Sequence, residues 1–203
     1  MDPLHKLIEI FREFPGIGPR QARRFAFFLV SRPNNFLEEL VDLIGEVKRT
    51  MRTCYECKRH FTSEAPQTVC SICSNPHRDR SILMIVARDT DMEALEKTRA
   101  YQGLYFILGG TIPILDKDPE QRIRIRDLHQ RLQVLPLREL IISLNATPEG
   151  EHTADYVMNS LKDYAAEHSV AVSVLGRGLS TGSELEYADA STLTSALVHR
   201  TKV

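Results

Sequence analysis

Leu4, Leu7, Ile8 and Phe11 recur every three or four residues and place one apolar stripe on a first amphipathic helix. Phe14-Pro15-Gly16-Ile17-Gly18-Pro19 ends it, because two prolines and two glycines forbid helix continuation. A second helix is predicted from about Arg20, with Ala22, Phe25, Ala26 and Leu29 facing inward, up to Arg32-Pro33-Asn34-Asn35. A third is predicted from about Phe36 to Met51 on Leu37, Leu40, Val41, Ile44 and Val47. Periodicity then disappears over 53–77. From Ser81 the texture changes: strands at Ile82–Val86, Leu104–Leu108, Leu140–Leu144 and Val170–Leu175 alternate with helices. Those helices fall at Asp91–Thr98, at Ile123–Leu132 and along Ala154, Val157, Met158, Leu161 and Ala165, with a loop over Gly109–Asp118. Four strands separated by helices imply a parallel sheet covered on both faces. The tail, Gly176–Val203, is rich in Gly, Ser and Thr and weakly helical at Thr192–Val198.

Phe25, Phe27, Phe28 and Leu29 crowd the second helix, and Phe27 and Phe28 point away from the face shared by Ala22, Phe25 and Leu29. One short helix cannot bury both faces against one small core. Either an aromatic patch or protein interface follows, or a core wraps the helix on all sides.

With 42% hydrophobic and 26% charged residues, the chain of 203 residues can bury a real core, in one to two domains with room for a small extra module. No apolar run approaches the ~20 residues that span a bilayer, and Met1-Asp2-Pro3 opens no signal peptide; a cytoplasmic protein is expected. The net charge of −1 argues against wholesale polyelectrolyte binding. Its distribution changes that picture. No acid lies between Glu13 and Glu38, while Arg20, Arg23, Arg24 and Arg32 are fixed positive charges.

All the cysteines of the chain fall in one pattern, Cys54-x2-Cys57 and Cys70-x2-Cys73. A two-residue separation lets both thiolates of a pair point at one ion, and two such knuckles complete a tetrahedron. Disulfides are the competing use, but a cytosolic setting keeps thiols reduced. A closed set of four cysteines indicates one structural Zn2+ per chain rather than a catalytic ion, which needs an open position. His60 and His77 lie near in sequence and are read as surface residues. The module is too small for a core of its own, so metal supplies its folding energy.

The Pro15-to-Pro19 turn joins two short helices. Gly16 and Gly18 bring bare backbone N–H groups to the surface, and the positive end of the following helix adds to them. Together they form a receptor for a phosphate oxygen, with Arg20, Arg23 and Arg24 reaching flanking phosphates. A solvated, arginine-rich helix face is the plainer reading of the same residues.

This turn resembles the helix-hairpin-helix of proteins that bind DNA without reading its sequence. The order of parts resembles the bacterial recombination mediator family RecR. The matches are Phe14-Pro15-Gly16-Ile17-Gly18-Pro19, the cysteines with Cys70-Ser71-Ile72-Cys73-Ser74-Asn75-Pro76, and Thr181-Gly182-Ser183-Glu184-Leu185-Glu186-Tyr187. The resemblance implies an α/β Toprim-like parallel-sheet domain over 81–175. A helical helix-hairpin-helix DNA-binding region over 1–52 and the zinc module over 53–80 precede it, and 176–203 forms a tail that contacts other subunits. It also implies a homo-oligomer, dimer or tetramer, that rings or clamps DNA. RecO and RecF are the implied partners, and loading RecA at single-stranded gaps the implied role. Hairpin basic residues contact DNA in that family, which transfers to Arg20 and Arg24. It also favours self-association through the aromatic patch.

Toprim enzymes carry a glutamate at the end of the first strand and an Asp-x-Asp pair after a later one. Here Ala87 stands at the first position and Asn145-Ala146-Thr147 at the second. Two-metal phosphoryl chemistry needs converging carboxylates. A metal-dependent DNA-processing enzyme is therefore the disfavoured alternative, and no catalytic residue is expected. Glu149, Glu151, Asp89 and Asp91 are better read as acids at helix N-termini than as a residual cluster. No Gly-x4-Gly-Lys-[Ser/Thr] loop supports an NTPase.

Overall fold

A computed structural model describes residues 2–65, 67–116, 118–176, 178–179, 182, 184–198 and 200. Thr181 and Ser183 of the C-terminal motif lie outside the described residues. The chain forms two units, Met1–Met51 with Thr62–Glu64, and Arg52–Phe61 with Ala65–Val203.

The first unit is helical. Asp2 caps α1 (Pro3–Arg12) by accepting the Leu4 N–H at 3.2 Å, and Pro3 presets the first turn. Helix α2 (Pro19–Val30) packs against α1, with Phe11 edge-on to Phe25 at 6.1 Å and stacked on Phe14 at 5.8 Å. Pro33 precedes α3 (Asn34–Thr50). Among the described residues of this unit only Ala22 and Ala26 are buried. The α3 stripe expected to face a core is left open: Val41, Ile44 and Val47 are all more than half exposed. The apolar pattern was correct for a helix, and Leu37 and Leu40 of the same stripe are half-buried.

The second unit holds the parallel sheet. Its strands are β3 (Asp79–Val86), β4 (Gly103–Ile107), β5 (Glu139–Ser143) and β6 (Ala171–Val174), in the order β4-β3-β5-β6. Helices α4 (Asp89–Lys97), α5 (Pro119–Arg122), α6 (Ile125–Leu132) and α7 (Pro148–His168) connect them. Side chains alternate across β3, so Leu83 and Ile85 enter one core while Met84 and Val86 enter another. The first core joins Leu104, Phe106, Leu140 and Ile142 to Leu128 and Leu132 of α6 and to Ala154, Val157 and Leu161 of α7. The second joins Tyr105 and Ile107 to Met92 of α4 and to the cysteines.

The helix predicted over Ile123–Leu132 is present but begins at Ile125. The Arg124 N–H donates to Leu108 O at 2.8 Å, and its guanidinium donates to the carbonyls of Lys58 and Ile107. Arg124 is thereby tied to the sheet, and α6 starts one residue later. The tail carries a short 3₁₀ turn at Leu185–Tyr187 and α8 (Ala190–Val198). No described helix is long and apolar enough to cross a membrane.

Candidate metal centre and nucleic-acid interface

Two short strands, β1 (Met51–Thr53) and β2 (His60–Thr62), pair around the first knuckle. The Cys54 N–H donates to Arg59 O at 2.8 Å and the Lys58 N–H to Cys54 O at 2.9 Å. Lys58 takes a left-handed φ of 64°, which lets the chain reverse inside the knuckle. In the second knuckle the Ser74 N–H donates to Cys70 O at 3.0 Å. Tyr55 N–H to Thr68 O (2.7 Å) and Cys70 N–H to the Cys54 sulfur (3.3 Å) hold the two knuckles together.

The sulfurs of Cys54, Cys57, Cys70 and Cys73 all lie within 4.8 Å of one another, and all four residues are buried. The Cys57 and Cys70 sulfurs are 3.6 Å apart. A tetrahedral ion with Zn–S bonds of ~2.3 Å requires S···S separations of ~3.8 Å, so the donor set fits a metal ion. The crowding is also electrostatic. Hydrogen bonds from Cys57, Cys70 and Cys73 hold the Cys54 thiol low. Hydrogen bonding to Cys54 pushes the Cys57 and Cys73 thiols up. Cys54, Cys57, Cys70 and Cys73 would together hold a cation, which would replace that competition for protons by coordination. Among the described residues this is the one group of such side chains close enough to hold an ion. His60 and His77 are not in it. His60 instead donates its backbone N–H to Asp89 at 2.7 Å and places Nδ1 3.1 Å from the same carboxylate.

The knuckles lean on the α/β core. The Ile107 N–H donates to Cys57 O at 2.9 Å, and the Arg80 guanidinium donates to Cys73 O at 3.2 Å. Lys58 pairs with Asp127 at 2.9 Å. Glu56 pairs with the buried Arg131 of α6 and, at 3.7 Å, with Arg80. Sequence reading missed the Glu56–Arg131 and His60–Asp89 pairings because no spacing rule joins residues so far apart along the chain.

At the hairpin, the Ile17 N–H donates to Phe14 O at 3.1 Å, and Gly16 has φ of 75°, where a side chain is strained. Gly18 precedes α2 as its N-cap, Pro19 occupies the first turn, and no side chain caps the helix. The first-turn N–H groups of Arg20 and Gln21 are therefore open to an anion. Arg20, Arg23 and Arg24 are exposed on α2, and among the described residues none of them forms an ion pair. Phe27 and Phe28 are exposed beside them.

The positions of the Toprim acids are occupied by structural residues. Ala87 is buried at the end of β3, its carbonyl accepting the Gly109 N–H at 3.0 Å. Thr147 caps α7 by accepting the Gly150 N–H at 3.1 Å. A cleft of about 350 Å³ beyond β5 and β6 includes Ser143, Asn145 and one acid, Asp91, which accepts the Arg88 N–H at 3.0 Å. Asp89 and Asp91 stand in the first turn of α4, Glu149 and Glu151 in that of α7.

Three family comparisons match this chain. Residues 4–48 match "RecR, helix-hairpin-helix", residues 81–181 match "Toprim domain", and residues 178–201 match "RecR, C-terminal". The recombination protein RecR of Staphylococcus saprophyticus subsp. saprophyticus is 38% identical over 202 residues, covering 100% of this chain and 98% of its own length. Proteins of the same name from Staphylococcus aureus and Staphylococcus haemolyticus share the same identity and coverage. With the helical hairpin, the four-cysteine cluster and the parallel sheet in the expected order, the chain belongs to the RecR family.

Proposed function

We propose that this protein is a DNA-binding mediator of recombinational repair that performs no chemistry of its own. Its DNA site is the hairpin: Gly16 and Gly18 with the open N-terminus of α2, and Arg20, Arg23 and Arg24. The observation that carries this reading is the uncapped helix end flanked by three exposed, unpaired arginines. In its full form the protein assembles as a dimeric or tetrameric ring or clamp and acts with RecO and RecF to help load RecA at single-stranded gaps. It works in the cytoplasm, on the nucleoid when bound to DNA.

Residues 1–52 serve as the DNA-binding region and 81–175 as the Toprim body, while 176–203 contact other subunits. The module over 53–80 holds one structural Zn2+ on Cys54, Cys57, Cys70 and Cys73. The open stripe of Val41, Ile44 and Val47 on α3 supports self-association. Ala87, Asn145 and Thr147 offer no converging carboxylates, which supports the absence of catalysis.

The test is a salt titration. Arg20→Ala with Arg24→Ala should weaken binding about equally for unrelated sequences. Each lost phosphate contact should flatten the log–log salt dependence on duplex DNA by a slope of roughly one. An unchanged slope in the double variant removes the hairpin as the DNA site.

A further inference from the structure

Successive residues of an α-helix are turned by ~100°, so α2 has two distinct faces. Ala22 and Ala26, fully buried, mark the inner one. The opposite face presents Arg20, Arg23, Arg24, Phe27, Phe28 and Ser31 along an open groove of about 810 Å³. Phe27 is 53% exposed and Phe28 44%. Two half-exposed phenyl rings beside three cations match an occupant that is both aromatic and negatively charged.

Phe28 is held in place. The Arg32 guanidinium lies 4.1 Å from its centroid, and Phe36 meets it edge-on at 6.2 Å. Among the described residues Phe27 has no ring or guanidinium partner, and at 53% exposure it leaves ring surface open to stacking. We propose that this face of α2 is a seat for single-stranded DNA, in which Phe27 stacks on an unpaired base while Arg20, Arg23 and Arg24 hold the flanking phosphates. The proposal rests on the hairpin reading above and narrows its substrate class.

Charge and geometry select the occupant. No acid lies between Glu13 and Glu38, so the face has polyanion complementarity over its whole length. A second copy docked two-fold on the same patch would set these arginines against their own equivalents. Duplex DNA fits the arginines but not the phenyl, because its base faces are already stacked on one another. Unpaired bases offer a free π-face and carry a phosphate at each step.

The experiment uses the full chain and three labelled probes: an oligo-dT strand, an abasic deoxyribose-phosphate strand of equal length, and a mixed-sequence duplex. Phe27→Leu keeps the apolar volume but removes the ring. It should weaken oligo-dT binding about ten-fold, leave the other two probes and the salt slope unchanged, and leave sedimentation unaltered. Phe27→Tyr should restore oligo-dT binding. Equal oligo-dT affinity for wild type and Phe27→Leu overturns the stacking role. So does an equal loss on all three probes, or a shift in sedimentation, which would make the ring a protein contact. Tighter binding of oligo-rU than of oligo-dT overturns the DNA assignment. If the wild type binds no probe, the hairpin reading itself falls; if the arginine variants lose binding and Phe27→Leu does not, only the stacking falls.

Discussion

Under the proposed zinc assignment, removing the metal should destabilise the α/β domain as well as the knuckles. The cysteines share a core with Met84, Val86, Met92, Tyr105 and Ile107, each at most 4% exposed. Burying one such side chain contributes about 1.5–3 kcal/mol. Helix α4 covers part of this face, so loss of the knuckles uncovers roughly half of it, on the order of 4–7 kcal/mol. Arg131, at 8% exposure, would also lose its Glu56 partner and be left as a buried charge. Against a typical total stability of ~5–15 kcal/mol, this is most of what a domain has. The perturbations are Cys57→Ser and, separately, a thiol-compatible chelator under reducing conditions. Zinc content, the thermal midpoint and binding of an apolar dye are then measured together. The expected result is loss of zinc, a midpoint lower by about 10–25 °C and new dye binding. Acid should release the ion as well, because thiolates must take up protons to let it go. A zinc-free protein with the native midpoint and no dye binding would refute both the structural role and the shared core.

Two further substitutions probe the same unit. Arg131→Ala should cost about 1–3 kcal/mol in denaturant unfolding, because Glu56, partly exposed, keeps only its longer pairing with Arg80, whereas replacing both Arg131 and Glu56 with apolar residues should cost less. Gly150→Ala should destabilise by several kcal/mol, since a Cβ there would overlap the Asn145 carbonyl oxygen; a neutral result would mean that the β5-to-α7 connection has room that its backbone does not show.

The helices, the four strands and the cysteine cluster were legible because each rests on a local pattern: apolar periodicity, continuous apolar runs or ligand spacing. What escaped was set by long-range contacts. Nothing near Ile123 and Arg124 signals the later helix start, since it comes from carbonyls of Leu108, Lys58 and Ile107. The knuckles looked too small for a core, and they are; they complete the second face of the sheet, where Met84 and Tyr105 already alternate outward. Departures at Ala87 and Thr147 could be read in the sequence, but not what replaced the acids. Thr147 became a helix cap, a role any Thr before a Pro-led helix can take.

The first unit raises the opposite problem. Ordering a residue costs about 1–2 kcal/mol of backbone freedom, and burying an alanine methyl returns only about 0.8 kcal/mol. Ala22 and Ala26 cannot hold three helices together, even with the Phe11–Phe25 contact. The exposed stripe of Val41, Ile44 and Val47 is the reserve of apolar area that a second copy would bury. Under the proposed assembly, stability of the hairpin and DNA affinity therefore rise together with protein concentration. One hairpin makes few phosphate contacts and binds weakly alone. Several joined in one ring act at a raised effective concentration, so affinity grows without any new contact to DNA. The uncovered helices and the small hairpin are on this reading one design: the surface that cannot stabilise a monomer is what makes the weak DNA site sufficient.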